Sequence, residues 1–170
     1  MLRERILGDS LFDVAFREYA RRWMFRHPQP ADFFRSIEDG AGERLNHFWR
    51  GWFYTTEAND QAIARVEVQR TDSMAGPEVA RARGRHYVRV ALDNRGGLVL
   101  PVELGVTFAD GTTQRIRLPA DVWRRDEKRF VHGFFTDREV TEIVIDPDEA
   151  FADVDRGNNT WRAPGARPIS

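Results

Sequence analysis

Four histidines, one arginine inside an aromatic run, an aspartate-rich loop and a run of arginines are the groups in this sequence whose chemistry could serve a site. The imidazoles are His27, His47, His86 and His132. A zinc-binding helix sets two imidazoles one turn apart, and no pair here has that spacing. His47 stands beside Phe48 and one helical turn after Glu43, which admits a metal or acid–base role. A lone histidine on a helix is ordinarily structural or exposed, and that is the expectation for His47. His86 and His132 fall at inward-facing parity in predicted strands with no second ligand beside them, so they read as hydrogen-bonded packing residues. Arg50, between Trp49 and Gly51, offers a guanidinium fork to a carboxylate or a carbonyl. Its ordinary role would be an interface ion pair or stacking on an indole. The stretch from Asp153 to Asn159 has the acid density of a calcium-binding loop. It fails at the essential places, with Gly157 fifth, Asn158 sixth and no glutamate at the twelfth position, so it reads as a turn rich in side-chain to backbone hydrogen bonds. Arg81, Arg83, Arg85, Arg89 and Arg95 form a basic cluster, offset by Glu78 and Asp93, which reads as a solvated, charge-protected sheet edge.

The elements that must position these groups begin with helices. From Ser10 to Phe25 the residues Phe12, Ala15, Phe16, Tyr19 and Trp23 hold a helical stripe, with Ser10 as the expected N-cap. Asp13 with Arg17 and Glu18 with Arg22 stand at i, i+4 and are expected to pair. His27-Pro28-Gln29-Pro30 stops that helix. Pro30 opens the next one, which buries Phe33, Phe34 and Ile37 and ends at Gly40-Ala41-Gly42. Leu45, Phe48, Trp49, Trp52 and Phe53 then fall on one face of a third helix, and the spacing predicts that this face is buried. Gly51 inside that helix costs about 1 kcal/mol against alanine, which suggests a close approach to its backbone. Phe48, Trp49, Arg50, Trp52 and Phe53 are the interface candidates: aromatic side chains bury about 150–250 Å² each, enough for a docking platform.

After Thr56 the period changes to 2. Ala62, Ala64, Val66 and Val68 alternate with Ile63, Arg65, Glu67 and Gln69; a loop from Thr71 to Gly84 contains Gly76-Pro77. His86, Val88, Val90 and Leu92 face one way in the next strand, up to a turn at Asn94-Arg95-Gly96-Gly97. Leu98 to Phe108 reads as the longest strand, and Asp110-Gly111 as a two-residue hairpin turn with positive φ at both positions. Further strands are expected at Thr112 to Leu118, Arg129 to Phe135 and Val140 to Ile145. The fold class is therefore α+β: about three helices, then an antiparallel β-sandwich of fibronectin/immunoglobulin-like type. The expected division is 1–56 for the helical end, 57–162 for the sandwich and 163–170 for a flexible tail.

The 170 residues suit one medium domain or two small ones. No run of about 18 apolar residues is present, so no membrane-spanning helix is expected. With no cysteine, disulfides and thiolate metal sites are excluded. A formal net charge of -1 argues against nucleic acid as a partner. Met1 to Gly8 reads as the last two turns of a helix with no N-cap before it, which suggests that the chain continues a longer polypeptide.

The stretch HPQPADFFRSIEDGAGERLNHFWRGWFYTT, with LRERILGDSLFDVAFREYARRWMF before it, resembles the end of the catalytic domain in bacterial gluzincin aminopeptidases of the M1 metallopeptidase family. GGLVLPVELGVTFADGTTQRIRLPADVWRRDEKRF and IDPDEAFADVDRGNN resemble the β-sandwich that follows it there, so the likeness covers almost the whole chain. Gln29 departs from the threonine or serine expected as N-cap before Pro30. The larger departure is chemical. The family's His-Glu-x-x-His helix, its later glutamate ligand, its catalytic tyrosine and its amine-recognising glutamates have no counterpart here. The resemblance thus implies a non-catalytic carboxyl-terminal part of a zinc aminopeptidase, holding no cofactor of its own while the intact parent holds zinc. Its partner would be the upstream catalytic lobe, and the chain alone is expected to self-associate through its helices. The alternative is a self-standing β-sandwich interaction module whose aromatic helices dock a protein partner.

Overall fold

Three α-helices occupy the first unit of the chain, Met1–Thr56, and two antiparallel sheets the second, Glu57–Ser170. The structure, a computed structural model, describes residues 1–73 and 84–165. Gly76-Pro77, Arg81, Arg83 and the end of the tail from residue 166 lie outside the described residues.

In the first unit a π-helical segment, Leu2–Leu7, stops at Gly8, and α1, Asp9–Trp23, follows at once. Ser10 is therefore not the N-cap but lies in the first turn, because Gly8 ends one helix where the next begins. Arg3 holds that elbow, donating from Nε and Nη2 to the Asp13 carboxylate at 2.8 and 3.0 Å. The expected Asp13–Arg17 pair is thereby displaced, and Arg17 Nε donates instead to the Asp13 carbonyl. Glu18 pairs with Arg21 rather than Arg22. Arg22 reaches Asp39 on α2, Pro30–Ala41. At the start of α2 the Asp32 carboxylate accepts from the Gln29 N–H at 2.8 Å, which supplies capping from the third helical residue where Gln29 lacks a hydroxyl. Trp23 Nε1 donates to Ser36 Oγ across the α1–α2 seam. Gly40 allows the two helices to touch, since a Cβ placed there would lie 2.6 Å from the Ala15 Cα. The third helix, α3, is Asn46–Tyr54.

In the second unit β1, Gln61–Arg70, β2, His86–Asn94, and β5, Arg129–Thr136, make a sheet in the order β1-β2-β5. β3, Val102–Phe108, β4, Thr113–Leu118, β6, Val140–Ile145, and β7, Thr160–Arg162, make the other in the order β4-β3-β6-β7. Val88, Val90 and Leu92 from the first sheet share one core with Val102, Leu104, Val106, Phe108, Ile143 and Ile145 from the second. The α+β class thus stands with both sheets antiparallel.

Several strand expectations need correction. The β1 register shifts between Ile63 and Arg65, a bulge at Ala64 that flips the parity behind it. Ile63, Val66 and Val68 therefore oppose the buried Leu92, Val90 and Val88, and Ala64 is exposed. The strand predicted to begin at Leu98 begins only at Val102. Leu98 and Leu100 are buried as expected, but Pro101 has no N–H to give a ladder. The Leu100 carbonyl instead accepts from Trp123 Nε1 at 2.9 Å, and the buried Gln61 side chain donates to the Leu100 and Pro101 carbonyls. The Asp110-Gly111 hairpin forms with a different turn. Gly111 N–H donates to the Phe108 carbonyl and Phe108 N–H to that of Thr112, which makes a three-residue loop with Gly111 alone at positive φ. A seventh short strand, β7, pairs with β6 and escaped the sequence reading.

Replacing Gly40 by alanine should separate propensity from packing. Helix propensity alone favours alanine by about 1 kcal/mol, whereas the added methyl must displace the Ala15 backbone, at about 1–3 kcal/mol. We expect Gly40→Ala to lower the thermal midpoint of the helical signal in circular dichroism; a raised midpoint would show that α1 and α2 yield easily.

Candidate interaction surface

Two helices and one carboxylate build the aromatic cluster of the first unit. Glu38, one turn from the end of α2, accepts through Oε1 from the Leu45 N–H at 2.8 Å and from Trp49 Nε1 at 3.0 Å. That oxygen ties the start of α3 and its central indole to α2. With the indole so held, the Phe34 ring stacks on Trp49 at 4.5 Å between centroids and 16° between planes. Phe33 meets Trp49 edge-on at 5.9 Å and Tyr19 of α1 at 5.0 Å. Offset stacks and edge contacts of this kind add about 0.5–1.5 kcal/mol each beyond burial.

The five interface candidates divide. Phe48 and Trp49 are buried. Trp52 is 39% exposed and Phe53 56%, so the expectation of a wholly buried stripe is wrong for its last turn. Leu45, Phe48 and Trp49 meet the partners that the fold provides, and the stripe continues beyond them. Arg50 is exposed and has neither an ion pair nor an indole contact among the described residues. Gly51 is buried and its carbonyl accepts from Thr55 Oγ1 at 2.8 Å. Residues that the helical reading passed over extend the exposed aromatic set. Tyr54 is 68% exposed, and Phe25, just past α1, is 98% exposed with φ at 61°. Only the pair of prolines after it signalled a break there; nothing in the sequence marks Phe25 as left-handed.

Beside this cluster α2 and α3 enclose a groove of about 770 Å³. Phe34 and Trp49 line it along with Tyr54, the three guanidinium groups of Arg35, Arg44 and Arg50, and the acids Glu38, Asp39 and Glu43.

The histidines do not converge. His27 lies between α1 and α2, His47 on α3, His86 at the start of β2 and His132 in β5. His86 is level with Thr136 and His132 with Val90, four residues further along the same ladder. Among the described residues no group of three or more histidine, aspartate or glutamate side chains is arranged to hold a metal ion. His47 is exposed, and His132 is half-buried beside Phe134, with desolvation holding its imidazole pKa below the usual value.

The loop from Asp153 to Asn159 is the hydrogen-bonded turn that its composition indicates. Asp153 accepts from the N–H groups of Asp155 and Gln61, and Asp155 caps a 3-10 turn by accepting from the Gly157 N–H at 3.1 Å. Asn158 Nδ2 donates to Asp60 and Asp155. Before it, the buried Asp146 carboxylate accepts from the N–H groups of Ala150 and Phe151 and from Arg156. Of the arginine run, Arg89 pairs with Glu67 across β1 and β2 and lies on the middle strand of its sheet, not on an edge as expected, while Arg85 and Arg95 are exposed.

No family model matches this chain, and no curated protein matches it.

Two outcomes follow from this geometry. Glu38→Ala leaves the buried Trp49 N–H and the Leu45 N–H without their acceptor, which should cost about 2–4 kcal/mol in urea unfolding followed by tryptophan fluorescence. Glu38→Gln keeps an acceptor oxygen and should cost less than half as much; equal losses would show that the charge matters more than the two bonds. His132 gives a pH dependence. Its folded pKa lies below the unfolded value, so stability is full above about pH 6.5 and falls as pH drops from there towards the folded pKa. His132→Gln should flatten the thermal midpoint between pH 7 and pH 5, about the span in which the imidazole charges.

Proposed function

We propose that this chain is the non-catalytic carboxyl-terminal part of a zinc aminopeptidase of the M1 metallopeptidase family. In this reading the helices close a catalytic-type lobe, and a fibronectin/immunoglobulin-like β-sandwich braces it. The observation that carries the reading is the exposure of several aromatic side chains of the helical unit. Phe25 is almost wholly exposed at positive φ, a conformation that a bulky side chain adopts only where its surroundings dictate it. Phe53 and Tyr54 stand exposed beside Phe34. Exposed apolar groups gathered on one element mark a surface made for a partner. An upstream lobe, carrying the His-Glu-x-x-His helix and the zinc it binds, is the partner that the residue resemblance supplies. The shared core of the two antiparallel sheets supports the sandwich part of the reading.

The same exposed aromatics support a second reading, a self-standing β-sandwich module whose helices dock another protein. An in-frame His-Glu-x-x-His motif in the coding sequence upstream of Met1 favours the first reading; its absence favours the second.

Two measurements check the first reading. The isolated chain should bind no stoichiometric zinc and should not hydrolyse aminoacyl substrates; zinc binding with turnover would overturn the assignment. It should also self-associate through its bare helices, with an apparent mass in light scattering that rises over micromolar concentrations. Phe25→Ser with Phe53→Ser should shift the population towards monomer, and a wild-type chain that stays monomeric throughout would contradict the uncovered surface.

A further inference from the structure

Of the strands that end a sheet, β5 is the one whose edge carries none of the devices that discourage further pairing. β1 has the bulge at Ala64 and the charged Arg65, Glu67 and Arg70, β4 carries Arg115 and Arg117, and β7 is three residues long. From Phe130 to Thr136, β5 has no charged residue, no proline and no register shift. Its hydrogen-bonding phase follows from the Asn94 N–H, which donates to the Lys128 carbonyl at 2.9 Å, and from the Thr71 N–H, which donates to the Arg85 carbonyl on the other side of β2. Bonded pairs alternate along an antiparallel ladder. Phe130, His132 and Phe134 therefore bond to β2, while the N–H and C=O groups of Val131, Gly133 and Phe135 point away from it. Among the described residues these outward groups bond to no further element.

We propose that β5 pairs antiparallel with β5 of a second copy of this chain, with Gly133 on the two-fold axis. Gly133 then lies opposite the partner's Gly133 and Val131 opposite the partner's Phe135, in pairs that each exchange two hydrogen bonds. Charge selects this register. Beyond the apolar run, the exposed Arg129 comes level with the partner's Asp137, which follows the strand and is also exposed, and the match recurs at the other end by symmetry. Axes at Val131, His132 or Phe135 set Arg129 opposite Gly133, Phe135 or Thr141 instead. An axis at Phe134 calls on Glu139, whose carbonyl is already held by the Ala109 N–H. The side chains agree with this pairing. Val131 and Phe135 are 48% and 38% exposed on the outer face, and each would cover the other across the axis. Gly133 keeps the centre level because Tyr87 Oη occupies the place of its side chain, 2.4 Å from where a Cβ would lie. Two-fold pairing also consumes the open edge and leaves the guarded β1 at both ends of one continuous sheet, so assembly stops at two. The proposal rests on neither the metallopeptidase reading nor the exposed aromatics of the helical unit.

Sedimentation equilibrium of the full 170-residue chain carrying Phe25→Ser and Phe53→Ser tests it, since that background removes association through the helices. It should show monomer and dimer alone, with a dissociation constant of about 10–100 μM. Val131→Pro removes an N–H that points away from β2, so it spares the ladder of the monomer and should weaken the dimer about tenfold or more. Phe135→Lys, on the exposed outer face, should do the same and carries the test if Val131→Pro does not fold. Arg129→Asp and Asp137→Arg should each weaken the dimer about fivefold, and the two together should recover most of that loss. Gln69→Lys, on the exposed far edge of the same sheet, should change nothing. The proposal is overturned by any of four results: a monomer at concentrations well above that constant, assemblies that grow past two, a dimer indifferent to both β5 substitutions, or a charge exchange that recovers nothing. A monomer in this background would leave association of the wild-type chain through its helices standing, so the two surfaces are tested separately.

Discussion

The organisation of the helical unit turns on one carboxylate oxygen, Glu38 Oε1, which accepts from both the Leu45 N–H and the Trp49 indole. Position makes this oxygen unusual. Near the carboxyl end of α2 an acid faces the negative end of its own helix, which costs about 0.3–1 kcal/mol. The same group lies at the positive end of α3, whose first amides lack a side-chain cap. Two hydrogen bonds to a charged acceptor, each about 1.5–3 kcal/mol, outweigh the dipole term. A residue misplaced for one helix is thus well placed for the next. The same hydrogen bond fixes the indole on which the Phe34 ring lies flat.

The strand unit solves a related problem of buried polar groups in the opposite way, with side chains taking over from a ladder. Between Gly97 and Val102 the chain is buried yet pairs as no strand, since Pro101 cannot donate. Carbonyls left in an apolar core cost about as much as lost hydrogen bonds. Gln61 and Trp123 supply the missing donors, which explains why a glutamine is buried at the start of β1. The turn at Asp146 follows the same logic. Its carboxylate takes the N–H groups of Ala150 and Phe151, and Arg156 offsets the charge at 3.4 Å.

What the sequence makes legible follows from which forces are local. Helix spans could be read because proline, glycine and a 3.6-residue period act within a turn or two, and Pro30, Gly42 and the Leu45 stripe do so here. The strand parity of β1 was lost at Ala64, since a bulge adds one residue without any composition that announces it. The loop at Gly111 shows a subtler gap: Asp-Gly specifies a hairpin, but the register of β3 with β4, Thr107 opposite Thr113, goes with the three-residue form. At the candidate surface, period identified the residues sharing a stripe, but not that Phe48 and Trp49 are covered and Phe53 is not, which depends on tertiary contacts. The role of Glu38 was hidden for another reason. Its partners are seven and eleven residues away on a different helix, beyond any i, i+4 rule.

Exposure and backbone strain differ in what they cost the folded chain, and Phe25 shows why. An aromatic ring in water is no worse off in the folded chain than in the unfolded one, so exposure alone sets folding no debt. The backbone at Phe25 differs, because φ of 61° on a residue with a Cβ costs about 1–2 kcal/mol and no contact of the ring offsets it. Covering a phenylalanine side chain fully returns about 1.5–3 kcal/mol, enough to cancel that strain. The conformation is therefore uphill in the bare chain and level or downhill once the ring is covered. Trp52, Phe53 and Tyr54 lie in or beside regular α3 and have no comparable strain, so their exposure fits either a cover or open water. Of the exposed aromatics, Phe25 is the one whose backbone is at positive φ.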